Sequence, residues 1–334
     1  MAGFNELVSS ITDIGTNWHK SHIVQNNQNN IPYMQATINS LPIAEGAKKE
    51  SAIVVSAGPS LHYSDTLRIL ARSNYQGSIV AIDGSYVKCL RAGIVPDYML
   101  TLDPHPTRLV RWFGDPEFEK NMEGDDYFSR QDLDIDFRDN SIRQNQENIK
   151  FVNEYAGRTK LIIASTAPAN VVNRAREAGF DMYWWLPLVD DPDQEGSLTR
   201  EMYRASKLPA MNTGGNVGTA AWVFAQFWLQ IARVAVIGMD LGYKDDLPYN
   251  MTQTYPELAA MLGEDKVTAD LFPEFENPLT GERFYTDPTY YWYRQNILDL
   301  IKNSGATLYN CTQGGILFGD NIQCVRLSEF LEAG

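Results

Sequence analysis

Short apolar runs alternate with segments of helical periodicity from Ser51 onward. The apolar runs are rich in Val and Ile and lack polar alternation, which is typical of parallel strands covered by helices on both faces. The predicted strands are residues 52–56, 78–82, 97–102, 159–164 and 233–238, and the predicted helices are residues 61–73, 84–92, 168–178 and 215–230. Because parallel strands need right-handed crossovers, the pattern predicts a doubly wound α/β fold, whose ligands bind beyond the carboxyl ends of the strands.

The first 50 residues follow a different pattern. Phe4, Leu7 and Ile11 have helical spacing, and the Asn/Gln-rich stretch at 25–30 predicts a break before a second short helix. We therefore expect a helical lead-in over residues 1–50. Its polar break makes it a candidate arm for formation of a homo-oligomer.

The main domain is predicted to span residues 51–334 and to carry two insertions. Residues 114–150 are acidic and turn-rich, and residues 241–290 contain many Pro, Asp and Tyr residues. Long irregular stretches inside a compact domain are often functional. Both are candidate lids, and a solvated acidic surface is the alternative interpretation for residues 114–150.

Two glycine-bearing turns each join a predicted extended run to a predicted helix, AIVVSAGPSL at 52–61 and NTGGNVGTAAWVF at 212–224. Free backbone N–H groups at such a junction can bind phosphate, although an ordinary strand-to-helix turn is the alternative. The first turn has one glycine where G-x-G-x-x-G needs three, so a nicotinamide oxidoreductase is only a minor alternative. The candidate nucleotide-binding residues, together with Asp83 after the next strand, are Gly58, Pro59, Ser60, Asn212, Thr213, Gly214, Gly215, Asn216 and Gly218.

Three carboxylates follow predicted strands directly, namely Asp83, Asp103 and Asp240. Carboxylate oxygens are preferred ligands of Mg²⁺, so the three are candidate metal ligands; capping of the following helices is the alternative. His105 stands beside Asp103 in LDPHP and is a candidate general acid or base, with a surface histidine as the alternative. Asp103, His105 and Asp240 are the candidate catalytic residues.

Aromatic residues are concentrated between 285 and 293, followed by Arg294. Tyr285, Tyr290, Tyr291, Trp292 and Tyr293 are predicted to stack on a base, a pterin or a sugar, or to form core or interface.

The net charge is −14, from 42 acidic and 28 basic residues. Such a field repels nucleic acid and requires local neutralisation of any bound phosphate by amides, arginines or Mg²⁺. No apolar stretch of about 18 residues and no basic segment followed by an apolar core occurs, so we expect no membrane contact and a cytoplasmic location. Three cysteines without CxxC spacing are expected to be idle thiols.

Four motifs resemble the MptE-like family, in order from about Ser51 to Phe330. They are AIVVSAGPSL, SIVAIDGSYVKCLRAGIVPDYMLTLDPHP, NTGGNVGTAAWVFAQFWLQIARVAVIGMDLGY and YNCTQGGILFG. The family includes 6-hydroxymethylpterin diphosphokinases and the central domain of motility accessory factors (Maf). The resemblance implies a Rossmann-like fold related to bacterial sialyltransferases. It also implies a nucleotide site over Gly58, Pro59, Ser60, Asp83, Asp103, Asp240 and the Gly214–Gly218 turn.

The resemblance implies one of two transfer reactions. A diphosphokinase would use ATP and Mg²⁺ to move a pyrophosphoryl group onto a pterin hydroxymethyl group. A Maf-like glycosyltransferase would move a sugar from a CMP donor onto a flagellin-like protein acceptor. Sialyltransferases of this fold use a histidine in the later half, whereas no histidine follows His105 here. We therefore expect a nucleotide-dependent transferase with diphosphokinase-like chemistry, with glycosyl transfer as the alternative and a non-catalytic nucleotide-binding or assembly factor as the third possibility.

Overall fold

A parallel sheet of nine strands organises the chain in the computed structural model, which describes residues 2–42, 45–105, 110–118, 120 and 137–332. The described strands are β1 (Ser51–Val55), β2 (Ser78–Ile82), β3 (Tyr98–Leu100), β4 (Lys160–Ala164), β5 (Asp181–Leu188), β6 (Ala210–Asn212), β7 (Arg233–Ile237), β8 (Tyr243–Lys244), β9 (Glu274–Glu276), β10 (Arg283–Tyr285), β11 (Leu308–Asn310) and β12 (Ile322–Cys324). The large sheet has the order β12-β11-β7-β1-β2-β3-β4-β5-β6.

Helices cover both faces of this sheet. The described helices are α1 (Ala2–Asn30), α2 (Ala47–Glu50), α3 (Ser60–Tyr63), α4 (Thr66–Arg72), α5 (Asp83–Arg91), α6 (Phe137–Tyr155), α7 (Ala169–Ala178), α8 (Leu198–Ser206), α9 (Val217–Val223), α10 (Tyr255–Leu262), α11 (Pro288–Ser304) and α12 (Leu327–Glu332). Ile53 and Val55 face one core with α5, α7 and α12, whereas Ala52 and Val54 face the other with α9 and α11. Burial on both faces explains the Val- and Ile-rich strands and confirms the predicted doubly wound α/β fold.

The sheet order reverses between β1 and β7. Strands β2 to β6 lie on one side of β1, and β7, β11 and β12 lie on the other. The two central strands pair in parallel up to Val55 and Ile237, and beyond them the Gly58 N–H donates to the Gly238 carbonyl at 2.7 Å. Loops diverge at such a switch point and leave a crevice at the carboxyl ends of the strands.

The five predicted strands are present, but the boundaries of other elements were wrong. Strand β5 was not predicted, β6 is the extended run expected before the second glycine turn, and the predicted helix 61–73 is divided into α3 and α4. The predicted helix 215–230 is α9 followed by a π-helical turn, Phe224–Trp228. Residues 137–155, which begin inside the predicted acidic insertion 114–150 and continue beyond it, form α6, whose Val152 is buried in the core.

The predicted break at residues 25–30 is wrong, because α1 continues to Asn30. Beyond it, Ile38 is buried and its carbonyl accepts a hydrogen bond from the Trp228 indole at 3.0 Å. The Ala36 carbonyl likewise accepts a bond from the Trp184 N–H at 3.0 Å. The end of the lead-in is therefore joined to the main sheet.

The insertion at 241–290 has a structure of its own. Its antiparallel sheet, in the order β8-β10-β9, packs with α10 around a small core that includes Tyr243, Leu258 and Phe272. Phe4 of α1 contributes to the same core. In the other insertion, residues 121–136 lie outside the described residues. No described helix has the length and apolar character needed to cross a membrane.

Candidate functional site

The turn after β1 is attached to the turn after β7 by Asp240. The Asp240 carboxylate accepts hydrogen bonds from the Ser60 hydroxyl at 2.7 Å and from the Ser60 backbone N–H at 3.3 Å. The Tyr63 hydroxyl donates to the same carboxylate at 3.2 Å. Asp240 is only 2% exposed, so it occupies the start of α3 as an internal anion. The structure therefore buries Asp240 against the start of α3, which lies earlier in the chain, whereas the predicted alternative was capping of a helix that follows Asp240.

The surroundings of Asp240 also affect its proton affinity. Burial raises the pKa of this carboxyl to about 6, and the hydrogen bonds from Ser60 and Tyr63 oppose the rise. The segment YNCTQGGILFG at 309–319 also contacts Asp240, because the Ile316 N–H donates to the Asp240 carbonyl at 2.8 Å. A side chain at Gly315 would collide with the Asp240 backbone.

The second glycine turn precedes α9 and has two left-handed residues. Gly214 and Gly215 have φ angles of 55° and 87°, which favour glycine. The Trp292 ring packs directly against Gly215 and leaves no room for a side chain there. The Asn216 side chain caps α9 by accepting from the Thr219 N–H at 2.9 Å. Packing therefore accounts for these two glycines without a ligand.

Gly218 brings the two glycine turns together. A Cβ atom on Gly218 would lie 2.7 Å from the Ser56 hydroxyl and 2.9 Å from the Met239 methyl group. Ser56 follows β1 and Met239 follows β7, so α9 begins directly over the switch point. The two turns, far apart in sequence, thus meet at the carboxyl ends of β1 and β7, the edge at which doubly wound folds bind their ligands.

Two further candidate carboxylates lie at the ends of neighbouring strands. Asp83 opens α5 after β2, and its Oδ1 accepts from the Gly84 N–H at 2.6 Å. Asp103 follows β3, and its Oδ1 accepts from the His105 N–H at 2.7 Å. A Cβ atom on Gly84 would lie 3.0 Å from the Ala57 Cβ, so the turn after β2 also borders the turn after β1.

The three carboxylates do not form a shared metal site. Within the described residues, no group of three or more His, Cys, Asp or Glu side chains is arranged to hold a metal ion. The predicted set of Asp83, Asp103 and Asp240 is thus not assembled, since Asp240 is buried beneath Ser60. Coordination of Mg²⁺ by Asp83 and Asp103 together with ligand phosphates stays a prediction.

The last turns of α1 close the edge of the site over β3 and β4, which the sequence did not indicate. Asn26 donates to the Pro104 and Thr166 carbonyls, each at 2.9 Å. Asn30 donates to the Ser165 and Ala167 carbonyls at 2.9 and 2.7 Å. One turn earlier, the His22 ring lies 5.8 Å from the His105 ring, centroid to centroid. The helix therefore fixes the loop that carries Asp103 and His105.

Most of the predicted aromatic cluster is packed against protein. Tyr285 and Tyr290 pack around Tyr243, and Arg294 is buried, donating to the Ile316 and Phe318 carbonyls at 2.7 Å each. The core alternative therefore holds for these residues. Trp292 and Tyr293, both half-buried, are the members that adjoin the glycine turn at Gly215.

Comparison with known proteins supports the predicted resemblance. Residues 25–115 match the family described as 6-hydroxymethylpterin diphosphokinase MptE-like, so the match extends into the lead-in. The fold is similar to the solved structure of a Maf glycosyltransferase from Magnetospirillum magneticum AMB-1, with a TM-score of 0.52 and 15% sequence identity. The similarity covers 91% of this chain but only 38% of that protein. No curated protein matches this chain.

Proposed function

We propose that this chain is a nucleotide-dependent transferase that binds its nucleotide in the crevice at the carboxyl ends of β1, β2 and β3. The observation that carries this proposal is the contact between the two glycine turns, where Gly218 lies against Ser56 at the switch point. Doubly wound folds bind their ligands at this position. The partial family match and the fold of a glycosyltransferase agree with a transferase.

The negative charge of the protein determines which groups the proposed site needs in order to bind a phosphate. The chain has a net charge of −14, and Asp83 and Asp103 follow β2 and β3 at the edge of the sheet where the proposed site lies. A bound polyphosphate would experience repulsion from these carboxylates unless a cation or backbone N–H groups intervened. Mg²⁺ is commonly held by one or two carboxylates and completed by substrate phosphates and water. Asp103 and Asp83, which is 7% exposed, lie on adjacent strand ends and are the candidate carboxylates that remain for that donor set.

The first proposed reaction is pyrophosphoryl transfer from ATP to a hydroxymethyl acceptor of pterin type. Its support is the match to the diphosphokinase-like family. The matched residues, 25–115, include the Gly58-Pro59-Ser60 turn, Asp83 and Asp103. Catalysis of such a transfer depends mainly on positioning and on neutralising phosphate charge. Asp83 and Asp103 would hold the metal, and His105 would accept the acceptor's proton.

The second proposed reaction is glycosyl transfer from a CMP-activated or other nucleotide-activated sugar. Its support is the structural similarity to a Maf glycosyltransferase over 91% of this chain. A nucleoside monophosphate donor has fewer phosphate charges, so this reaction has less need of a metal. The acceptor would be a protein of flagellin type, reached through the insertion at 241–290.

Thermal denaturation with nucleotides separates these proposals, because a ligand that binds only the folded state raises the melting temperature. The probes are ATP, GTP, CTP, CMP and CDP, each with Mg²⁺ and with EDTA. Stabilisation by ATP that disappears in EDTA supports pyrophosphoryl transfer, and pterin acceptors are then assayed. Metal-independent stabilisation by CMP supports glycosyl transfer. Absence of stabilisation by every probe would reject a nucleotide site.

A further inference from the structure

Three buried hydroxyl groups near the carboxyl ends of strands have no hydrogen-bond partner within the described part of the chain. They belong to Ser56 after β1, Thr101 after β3 and Ser165 after β4. The three residues are 4%, 0% and 0% exposed. An unpaired buried hydroxyl is unfavourable, and such groups in native proteins call for an explanation. A ligand that supplies the missing partner is one explanation.

Ser56 differs from the other two in its position. Side chains alternate between the faces of a strand, and Ser56 follows Val55, so it faces the side covered by α9. Thr101 follows Leu100 and Ser165 follows Ala164, so both face the opposite side. Among the three hydroxyl groups, only that of Ser56 is directed at the junction of the two glycine turns.

The Asn216 amide oxygen and the Met239 methyl group lie near the start of α9 together with the Ser56 hydroxyl. The Gly218 Cβ position lies within 2.7 Å of the Ser56 Oγ, 2.9 Å of the Met239 Cε and 3.2 Å of the Asn216 Oδ1. The Met239 methyl group and the Ser56 hydroxyl thus lie close to the same point at the start of α9. Methionine is unbranched and adapts its rotamer easily, so this methyl group has conformational freedom that a branched side chain would lack.

We propose that the Ser56 hydroxyl donates a hydrogen bond to a phosphate oxygen of the bound nucleotide when the Met239 side chain moves aside. This inference rests on the proposed nucleotide site. A hydroxyl group can donate a hydrogen bond to an anionic oxygen without a charge of its own, and Asp83 and Asp103 follow the neighbouring strands β2 and β3. The ligand also completes a hydrogen bond that the described part of the protein leaves unmade.

The test is the variant Ser56→Ala, which has two expected effects of opposite sign. Removal of an unpaired buried hydroxyl should leave the melting temperature of the unliganded protein unchanged or raised. Loss of a hydrogen bond to a charged group should weaken nucleotide binding about tenfold or more. The melting temperature is measured without ligand, and the dissociation constants of CMP and of ATP with Mg²⁺ are measured by calorimetry.

Thr101→Val and Ser165→Ala are the matched controls, because they remove the other two unpaired hydroxyl groups from the opposite face. Both should keep the wild-type affinity for the same probes. Wild-type nucleotide affinity in Ser56→Ala would overturn this inference but not the proposed nucleotide site. A lowered melting temperature of Ser56→Ala would have the same effect, because it would reveal a hydrogen-bond partner of the Ser56 hydroxyl in the unliganded protein. A wild-type protein that binds neither probe would overturn the proposed nucleotide site and this inference with it.

Discussion

The Asp240 carboxylate caps Ser60, which lies 180 residues earlier in the chain, through both the hydroxyl and the backbone N–H of that residue. The contact joins the turns after the two central strands and supplies negative charge at the start of α3. A phosphate group at that position would meet the carboxylate at close range. In the proposed nucleotide site, we therefore expect the Gly58-Pro59-Ser60 turn to contribute to the wall, with the phosphates between it and the Gly214–Gly218 turn.

Replacement of Asp240 by Asn should change how stability depends on pH. The pKa of Asp240 is about 6 in the folded protein against 3.8 without the fold, so the folded state binds more protons between these values. The free energy of unfolding contributed by this group therefore rises as the pH falls from about 6 to about 4. The rise should approach about 3 kcal/mol, from roughly two pH units at 1.36 kcal/mol each.

The amide introduced by Asp240→Asn keeps an oxygen that accepts from Ser60 and offers an N–H₂ group to the Tyr63 oxygen, so the local geometry is preserved. Urea denaturation of both proteins at several pH values gives the difference in unfolding free energy. The wild-type protein should gain stability over Asp240→Asn as the pH falls from about 6 to 4, with little change in the difference above pH 7. A difference that is flat across this window would show that Asp240 titrates normally.

The contact between Gly218 and Ser56 predicts that one added methyl group at position 218 lowers the stability of the protein. Gly218→Ala would place a Cβ atom 2.7 Å from the Ser56 Oγ and 2.9 Å from the Met239 Cε. Overpacking of this kind typically destabilises a protein by about 1–3 kcal/mol. We also expect loss of nucleotide-induced stabilisation, since the two glycine turns would be pushed apart.

Gly157→Ala is the control for this substitution. Gly157 lies in a 3₁₀ turn, and a Cβ atom there would meet nothing within 4 Å. Its melting temperature should therefore stay close to that of the wild type, with nucleotide binding intact. Equal behaviour of the two variants would contradict the close approach of Gly218 to the end of β1.

Sequence periodicity identified the strands that are buried on both faces, because β1 and β7 are uninterrupted Val- and Ile-rich runs. It failed for β5, whose residues DMYWWLPL include two tryptophans and a proline near the end of the strand. It also failed for the end of α1, where asparagines have low helix propensity. The hydrogen bonds of Asn26 and Asn30 to strand-end carbonyls compensate, and such tertiary contacts are invisible in a local pattern.

The candidate site was predictable only in part, for the same reason. Strand ends and glycine turns are local signals, so Gly58, Asp83, Asp103 and Gly218 were found at one edge of the sheet. The burial of Asp240 depends on Ser60 and Tyr63, which come from a distant turn. The exposed or buried state of a strand-end carboxylate therefore cannot be inferred from its own neighbours in sequence.

The asparagines of α1 are expected to hold the loop that carries Asp103 and His105. Asn26→Ala removes the bond to the Pro104 carbonyl, and Asn30→Ala removes the bonds of a buried amide. Each should lower the free energy of unfolding by about 1–3 kcal/mol, since a buried acceptor is left without its donor. Hydrogen–deuterium exchange should accelerate in peptides that cover residues 98–105 in the Asn26 variant.

Asn29→Ala is the matched control on the same helix. Asn29 is exposed and its side chain accepts a hydrogen bond from the Gln25 amide at 2.9 Å on the helix surface. Its loss should change neither the stability by more than about 0.5 kcal/mol nor the exchange of residues 98–105. If Asn26→Ala and Asn29→Ala gave the same exchange rates, α1 would not restrain this loop.

The proposed metal role of Asp103 is tested by Asp103→Asn, which keeps an oxygen for the His105 N–H and removes the negative charge. Mutation of residues that hydrogen-bond to metal ligands typically weakens metal binding about 10–100-fold. Loss of the charge of a ligand itself should therefore raise the Mg²⁺ concentration needed for ATP-induced stabilisation by at least about tenfold. The control is Asp191→Asn, since the exposed Asp191 accepts from the Asp193 N–H at 2.9 Å in the same kind of turn. Melting temperatures across a Mg²⁺ titration at fixed ATP give the result. Asp103→Asn could leave the Mg²⁺ dependence unchanged, or nucleotide could stabilise the wild type in EDTA. Either result would show that Asp103 stabilises its loop rather than binding a metal, and would favour the glycosyl-transfer proposal.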